Sequence, residues 1–242
     1  MSTNNNDSLL RAIQNLLEQQ RQNLANMHHG MLHQIYQQLE AFITINKLLE
    51  IRHPLPSMRG WAASPDFLVL ILGEILARKP NLVVELGSGV STLISAYAFE
   101  KLGQGKLISI DHDSEFLQKT RQQINLHGLH DVVQTVHAPL TKISLNGIDW
   151  QWYDLASVDI TSPVELLVVD GPPGDLQARS RYPALPMFAE HLSDNAALFL
   201  DDVVRPDEQA IVREWAMQYP DFSHELVNCE KGAAIFRRTS VL

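Results

Sequence analysis

Two acidic side chains and a pair of glycines have a spacing that suits the binding of a charged nucleoside. Glu85, Gly87 and Gly89 follow the apolar run that begins at Leu82, and Asp111 ends a second apolar run. Glycines let the backbone turn sharply and approach a ligand closely. An acid at the end of the next strand accepts hydrogen bonds from ribose hydroxyls. The pattern predicts a nucleoside-cofactor site at the carboxyl edge of a parallel sheet, and a tight turn beside a surface aspartate is the plainer alternative.

The same turn argues against a dinucleotide. The third glycine of the dinucleotide fingerprint is missing, because the run continues as Val90-Ser91-Thr92. The Glu85 carboxylate beside the turn would repel a pyrophosphate. It would attract a ligand that carries an ammonium and a sulfonium.

Three further acids follow two other apolar runs. Asp170 ends the run that begins at Val164, and Asp201 and Asp202 end the run that begins at Ala196. Carboxylates packed together repel one another unless they share a cation or a proton. Oxygen ligands suit Mg²⁺, Ca²⁺ or Mn²⁺ better than zinc. The alternative is that Asp201 and Asp202 cap a loop and that Asp170 contacts the cofactor without a metal.

The elements that position these residues alternate between strands and helices. Near-continuous apolar strands of this kind predict an α/β, doubly wound, mostly parallel seven-stranded sheet covered by helices on both faces. Residues 140–163 are predicted to be irregular, and a closing hairpin supplies a reversed strand. The expected strands are 82–86, 106–110, 131–136, 164–169, 196–200, 222–228 and 233–237, and the expected helices between them are 90–102, 113–127 and 206–218.

Residues 8 to about 52 predict one long helix or a helical pair. Apolar residues recur at heptad spacing, the phase slips by four residues near Gly30, and Gln20 and Asn46 occupy core slots. The predicted seam is Leu10, Ile13, Leu17, Leu24, Met27 and Met31, followed by Ile35, Leu39, Phe42 and Leu49. We interpret residues 1–60 as a helical arm that joins copies of the chain, with a lid on its own domain as the alternative. Residues 61–242 are the predicted cofactor-binding domain.

The composition of the chain argues against some classes of binding partner. The chain has 242 residues, a formal net charge of −9 and an apolar fraction of 45%, which fits a folded globular protein without a broad phosphate-binding face. We therefore expect no nucleic-acid partner. A single cysteine, a polar start and apolar runs too short to span a bilayer predict a soluble, cytoplasmic protein that does not bind membranes.

With these residues the chain resembles the class I S-adenosylmethionine-dependent methyltransferases, which have a Rossmann-like fold. Glu85-Leu86-Gly87-Ser88-Gly89 matches their first motif, and Asp111 matches the acid that binds the ribose hydroxyls. The resemblance covers about residues 64–238. It implies that Ser91 hydrogen-bonds the cofactor carboxylate. It also implies that adenine packs near His112 and Ala138.

The three acids are similar to those of the catechol-type, metal-dependent O-methyltransferases. Asp170 and Asp201 match the two metal aspartates, and Asp202 stands where these enzymes often carry Asn. The resemblance implies that Mg²⁺ or another divalent cation binds the acceptor hydroxyl. A small hydroxylated metabolite or a saccharide is the acceptor that we expect. The lysine base of those enzymes is replaced by Pro173, so Asp175 and His112 are the candidates for the base on position alone.

Two other functions stay open from the sequence. One is a metal-free methyltransferase that acts on nitrogen or on a protein, and the other is a non-catalytic cofactor-binding adaptor that acts through the helical arm. Several residues also have two interpretations. Trp61 closes over the cofactor or packs; Arg181 grips an acceptor or begins an exposed helix; Trp150, Trp152 and Tyr153 stack on a ring or pack.

Overall fold

The structure is a computed structural model that describes the backbone of residues 3–239 and the side chains of residues 11 and 13–239. Its contacts divide the chain into one compact unit of residues 1–40 and another of residues 41–242. The predicted division between residues 1–60 and 61–242 is not tested by this result and stays a prediction.

Helix α1 spans Thr3–Leu48 as one continuous helix, so of the two predicted arrangements the single long helix is found. The apolar side chains of the predicted seam are exposed over its first part. Leu17, Leu24 and Met31 are each more than half exposed in the monomer. The side chain of Leu10, which the seam also includes, lies outside the described residues.

The last turns of α1 belong to the larger unit, and the face buried there shares only Leu49 with the predicted seam. Ile45 and Leu49 are buried in one apolar cluster with Phe67. Phe42 and Asn46, the predicted core positions, are exposed, and the Asn46 amide donates to the Phe42 carbonyl at 2.8 Å. Residues 41, 45 and 49, spaced four apart, form the face that is buried in the larger unit, and the pairing of the seam between copies of the chain stays a prediction.

The rest of the chain alternates as expected. Helix α2 is Pro65–Arg78, and its Pro65 occupies the first turn after Ser64. The elements that follow are β1 Leu82–Leu86, α3 Val90–Leu102, β2 Lys106–Asp111, α4 Ser114–Leu126, β3 Val133–His137, β4 Leu140–Leu145, β5 Ile148–Tyr153, a short 3₁₀ turn Leu155–Ser157, β6 Val164–Val169, α5 Ala184–Phe188, β7 Leu192–Leu200, α6 Pro206–Gln218, β8 Phe222–Val227 and β9 Ala233–Arg238.

Seven strands form the main sheet in the order β3-β2-β1-β6-β7-β9-β8. The first five of these are parallel, and β9 runs antiparallel to both β7 and β8. Successive residues of the central strand β1 face opposite layers, since Val83 belongs to one apolar cluster and Val84 to the other. The predicted doubly wound sheet with a reversed strand is confirmed.

Residues 140–153 are not irregular, which corrects the sequence prediction. Strands β4 and β5 form a separate antiparallel hairpin that pairs Leu140 with Tyr153 and Leu145 with Ile148. Its turn residues, Asn146 and Gly147, have φ of 52° and 76°. An Asn-Gly pair between alternating apolar residues is a strong hairpin signal, so the sequence contained the information.

None of the helices described within residues 3–239 is both long enough and apolar enough to cross a membrane. This finding agrees with the absence of a long apolar run in the sequence.

The burial of Ile45 within the larger unit generates a stability prediction. Ile45→Ala removes a fully buried side chain, and we expect the free energy of unfolding to fall by about 2–4 kcal/mol. Ile43→Ala is the matched control, because Ile43 is 64% exposed, and its effect should stay within about 0.5 kcal/mol. Urea unfolding measures both. Equal losses in the two variants would contradict the assigned face.

Candidate cofactor and acceptor site

The parallel register brings the predicted acids to one edge of the sheet. Leu86 of β1 pairs with Ile110 of β2 on one side and with Val169 of β6 on the other, and Val169 pairs with Leu200 of β7. The residues that follow these positions are Gly87, Asp111, Asp170 and Asp201. Carboxyl ends of neighbouring parallel strands are where α/β proteins place their ligand sites.

Gly87 is required by the close approach of two of these strand ends. Its φ is +97°, and a Cβ atom built on it would lie 2.8 Å from the carbonyl oxygen of Asp170. Backbone atoms cannot move away as a flexible side chain can, so no larger residue fits. The turn after β1 is thereby held against the loop after β6.

Asp111 connects the glycine turn to the second strand. Its carboxylate accepts hydrogen bonds from the Ser88 amide at 2.8 Å and from the Asp113 amide at 2.9 Å. The Nδ1 atom of His112 lies 3.3 Å from the same carboxylate. Asp113 in turn caps α4 by accepting from the amides of Glu115 and Phe116. These contacts hold the Asp111 carboxylate at the mouth of the turn.

Glu85 lies behind the turn and supports it. Its Oε2 accepts hydrogen bonds from the hydroxyls of Thr92 at 2.6 Å and Ser109 at 2.9 Å, while Oε1 has no partner among the described residues. Thr92 Oγ1 also accepts the Gly89 amide at 2.9 Å. Burial raises the Glu85 pKa to about 7, although hydrogen bonds from Ser91, Thr92 and Ser109 act in the opposite direction.

A cavity of about 410 Å³ opens between these strand ends. Its walls combine the glycine turn, the two acids after β2 and β6, and three aromatic side chains. The lining residues are Trp61, Ala62, Ala63, Gly87, Ser88, Gly89, Val90, Ser91, Asp111, His112, Asp113, Phe116, Tyr153, Asp170, Gly171, Pro173, Asp175 and Arg181.

Most of the predicted site residues line this cavity, and four do not. The lining set includes Gly87, Ser88, Gly89, Ser91, Asp111, His112, Asp170 and Asp175. Glu85, Ala138, Asp201 and Asp202 are buried away from its wall. Ala138 is fully buried, and its amide donates to the Asp111 carbonyl at 2.8 Å, so it acts on the site through the backbone of its neighbour.

Of the three aromatic side chains in the wall, sequence reasoning named Trp61 and Tyr153 and missed Phe116. Phe116, in the first turn of α4, is 53% exposed and lines the cavity, and no local pattern separates it from an ordinary helical residue. Trp61 is 66% exposed at the cavity, which favours its role near a ligand over packing. Trp150 and Trp152 are buried, as the packing alternative predicted.

Tyr153 reaches the cavity from the β4–β5 hairpin. The side chain is almost fully buried, and its hydroxyl has no hydrogen-bond partner among the described residues. Burial raises its pKa well above the ordinary value, and the nearby Asp111 charge acts in the same direction. The hydroxyl is therefore held protonated, as a donor beside the cofactor turn.

The acids after β6 and β7 surround an arginine. We define the acidic cluster as Asp170, Asp201, Asp202 and Glu208. One carboxylate oxygen from each of the three aspartates lies within 4.8 Å of the others. Arg181 Nη2 lies 3.2 Å from Asp170 Oδ1 and 2.8 Å from Asp202 Oδ2. Arg181 is 2% exposed, so the prediction of an exposed helix start was wrong.

Burial also changes the acidity of the cluster. It raises the Asp170 pKa to about 6, against the opposing charge of Arg181, and raises the Asp201 pKa well above its usual range. Neither side-chain oxygen of Asp201 accepts a hydrogen bond from the described residues. Arg205 Nη1 lies 2.9 Å from Asp202 Oδ2, and Lys231 Nζ lies 3.9 Å from Asp202 Oδ1.

The raised pKa of Glu85 generates a pH prediction. Between about pH 4.5 and 7 the folded chain holds a proton on Glu85 that the unfolded chain has lost, so this group lowers the free energy of unfolding as pH rises. Glu85→Gln cannot titrate. The free energy of unfolding of the variant minus that of the wild type should rise by about 3 kcal/mol across this window and stay level above it.

Urea unfolding at a series of pH values measures this difference. A pH-independent change in the free energy of unfolding, caused by the amide group, does not alter the slope of this difference against pH. Parallel curves for the two proteins from pH 4.5 to 8 would show that the Glu85 pKa is not raised by folding.

The comparisons with known proteins agree with this geometry. Residues 84–203 match a family model described as a methyltransferase domain. The O-methyltransferase hkm8 of Aspergillus hancockii is 27% identical over 123 residues, which is 50% of this chain and 43% of that protein. The chain therefore spans less than half the length of the curated relative that it matches.

Solved structures share the fold at low identity. The SAH-bound methyltransferase PaMTH1 of Podospora anserina has a TM-score of 0.58 and 16% identity, with 84% of this chain and 88% of that chain covered. The O-methyltransferase TomG of Streptomyces achromogenes, in complex with SAM, has a TM-score of 0.55 and 16% identity, with 81% and 95% covered.

The family match covers the strand ends that build the cavity, from β1 to the loop after β7. The seven-stranded sheet, the acid–glycine turn and the acid after β2 all stand in the arrangement that the sequence resemblance predicted. Residues 84–203 of this chain thus form a methyltransferase domain, and the sheet that carries them has the class I fold.

Proposed function

We propose that the chain transfers a methyl group from S-adenosylmethionine to an oxygen atom of a small hydroxylated acceptor. The observation that carries the proposal is the cavity itself, in which the glycine turn and the Asp111 carboxylate face the loop that bears Asp170. The match to a methyltransferase domain and the likeness to an O-methyltransferase support the reaction class.

Residues on one side of the cavity suit the cofactor. Asp111 would bind the ribose hydroxyls, and the backbone of Gly87, Ser88 and Gly89 would lie along the methionine portion. The Phe116 ring offers a planar apolar surface for adenine. When bound, S-adenosylmethionine supplies an activated methyl group. The chain contributes position, charge and exclusion of water.

The opposite side suits an acceptor with a ring or a sugar face. Trp61 is exposed at the cavity, and Pro173 stiffens the loop after β6. Asp175 and His112 both line the cavity, so both stay candidates for the group that takes the hydroxyl proton. A small hydroxylated metabolite or a saccharide is the acceptor class that we propose.

A divalent metal is the part of the sequence prediction that the residues support least. The three aspartates and the unpartnered oxygens of Asp201 favour a cation. Oxygens on opposite sides of Mg²⁺ lie about 4.2 Å apart, close to the spacing found here. Arg181, however, already contacts one carboxylate oxygen of Asp170 and one of Asp202. The residues present therefore do not fit the metal.

Two alternatives are kept because the same cavity suits them. A metal-free enzyme that methylates nitrogen or a protein would bind the cofactor equally well. A non-catalytic adaptor would bind the cofactor without turnover. Transfer of labelled methyl from S-adenosylmethionine to a panel of phenols, sugars, amines and peptides distinguishes the three, since each predicts a different labelled product or none.

The exposed apolar stripe of α1 supports assembly through this helix. We propose that residues 13–39 pair with a second copy of the chain, because one side of the helix bears the heptad seam and is exposed in the monomer. Packing as a lid is the alternative, which the experiment below also tests. A cytoplasmic location stays a prediction, supported by the single buried cysteine, Cys229.

The proposed cofactor site generates a binding prediction. Asp111→Asn keeps the shape but removes the charge, and we expect the affinity for S-adenosylhomocysteine to fall about 10–100-fold, because hydrogen bonds to a charged group contribute about 1.5–3 kcal/mol. Asp131→Asn is the control, since its side chain is 90% exposed and precedes β3 at the other edge of the sheet. Titration calorimetry measures the affinities. A wild-type protein that fails to bind the ligand would refute the proposed function.

The helical seam generates an assembly prediction. The full-length chain should have a mass that is a multiple of 27.3 kDa by light scattering, and Leu24→Lys should reduce it to the monomer because a charge enters the apolar seam. Gln22→Lys, on the opposite face of the helix, should leave the mass unchanged. A monomeric wild type would count against pairing and in favour of the lid.

A further inference from the structure

We propose that Arg181 takes the place of a divalent cation in the acidic cluster and positions Asp170 at the cavity, so that the site needs no metal. The placement of Arg181 stands on the contacts below, and only its consequence for methyl transfer rests on the proposed function.

Arg181 is a buried residue of the cavity wall. It lines the cavity although it is only 2% exposed. Its Nε donates to the Pro172 carbonyl at 3.3 Å, and its Nη1 donates to the Asp201 carbonyl at 3.1 Å. Its Nη2 donates to both the carbonyl and the carboxylate of Asp170, at 3.3 and 3.2 Å. These bonds hold the guanidinium plane between the loop after β6 and the end of β7.

The cations around the cluster nearly match its acids in number. Arg181 contacts Asp170 and Asp202, and its Nε lies 4.0 Å from Glu208 Oε1. Two more cations approach from the other side: Arg205 Nη1 lies 2.9 Å from Asp202 and 3.8 Å from Glu208, and Lys231 lies 3.9 Å from Asp202. Against four carboxylates stand three fixed positive charges, so a single proton makes the cluster neutral.

A divalent ion would disturb this balance. An ion bound to Asp170 Oδ1 and Asp202 Oδ2 would lie beside Nη2 of Arg181, and the positive charges of the ion and the guanidinium would repel each other. Binding would also leave the cluster with an excess of positive charge. The guanidinium thus balances negative charge on the aspartates, and its own positive charge is permanent.

The consequence for the site concerns Asp170. Its carboxylate lines the cavity, whereas Asp201 and Asp202 do not. Contact with Nη2 holds one Asp170 oxygen toward the buried cluster, which orients the carboxyl group at the edge where cofactor and acceptor meet. Arg181 is therefore a positioning residue that acts through Asp170.

Manganese binding tests this assignment directly. Electron paramagnetic resonance of Mn²⁺ mixed with the full-length protein should show no bound ion in the wild type. Arg181→Ala should gain one Mn²⁺ site, tighter than any wild-type binding by about a hundredfold or more, because removal of a positive charge a few ångströms away leaves the facing carboxylates free. The double variant that adds Asp201→Asn should lose that site again.

Two control variants test whether the positive charge at position 181, rather than the loss of any nearby arginine, prevents Mn²⁺ binding. Arg181→Lys keeps a positive charge and should stay free of Mn²⁺. Arg179→Ala removes a neighbouring arginine that pairs with Glu214 rather than with the cluster, and it should behave as the wild type. The affinity of the wild type for S-adenosylhomocysteine should be the same in EDTA as in Mg²⁺.

Two results would overturn the proposal. One is a wild-type Mn²⁺ site that Asp201→Asn abolishes, and the other is a folded Arg181→Ala that gains no site. If Arg181→Ala does not fold, the wild-type and Arg181→Lys measurements still decide. Failure of the wild type to bind S-adenosylhomocysteine would remove the proposed function but not the manganese result, so the two failures are distinguishable.

Discussion

The parallel pairing of β2, β1, β6 and β7 is the constraint on which the rest of this structure depends. Because these strands share one direction and a matched register, their carboxyl ends open on a single edge, and the residues after them meet there. Gly87 makes the meeting closer still, since its missing side chain lets the turn after β1 touch the backbone of Asp170. The cavity lies where these strand ends converge. The close approach of the turn after β1 to Asp170 requires a residue without a Cβ atom, which is Gly87.

Bringing acids to one buried edge has an electrostatic cost, and the fold offsets it in two different ways. Around Glu85 the partners are neutral hydroxyls, which support one carboxylate oxygen and leave the group close to its neutral form. Around Asp170 and Asp202 the partner is a buried guanidinium. A carboxyl supported by hydroxyls serves to shape a turn. A carboxylate paired with a fixed cation keeps a defined orientation at the cavity.

The hairpin β4–β5 adds side chains to the site from outside the main sheet. It pairs with itself rather than with the main sheet, and it brings the Tyr153 hydroxyl to the cavity wall while Trp150 and Trp152 pack beneath. Acceptor pockets in folds of this kind are built from such additions. Together with Trp61, the hairpin gives this chain an aromatic side that the strand ends alone would lack.

Local patterns in the sequence determined the order of the elements, the acid–glycine turn and the acids after each strand, because short apolar runs and glycines act over a few neighbouring residues. The Asn146-Gly147 pair is also a local signal, so the hairpin could have been predicted from the sequence. Only the tertiary structure decided that Arg181 lies among the acids, that Glu85 and Ala138 stand behind the cavity wall, and that Phe116 lines it. These facts depend on contacts between residues far apart in the chain, such as Arg181 with Asp202, and on which side of a packed layer each side chain faces. The spacing of residues along the chain indicates neither these long-range contacts nor the direction in which each side chain faces.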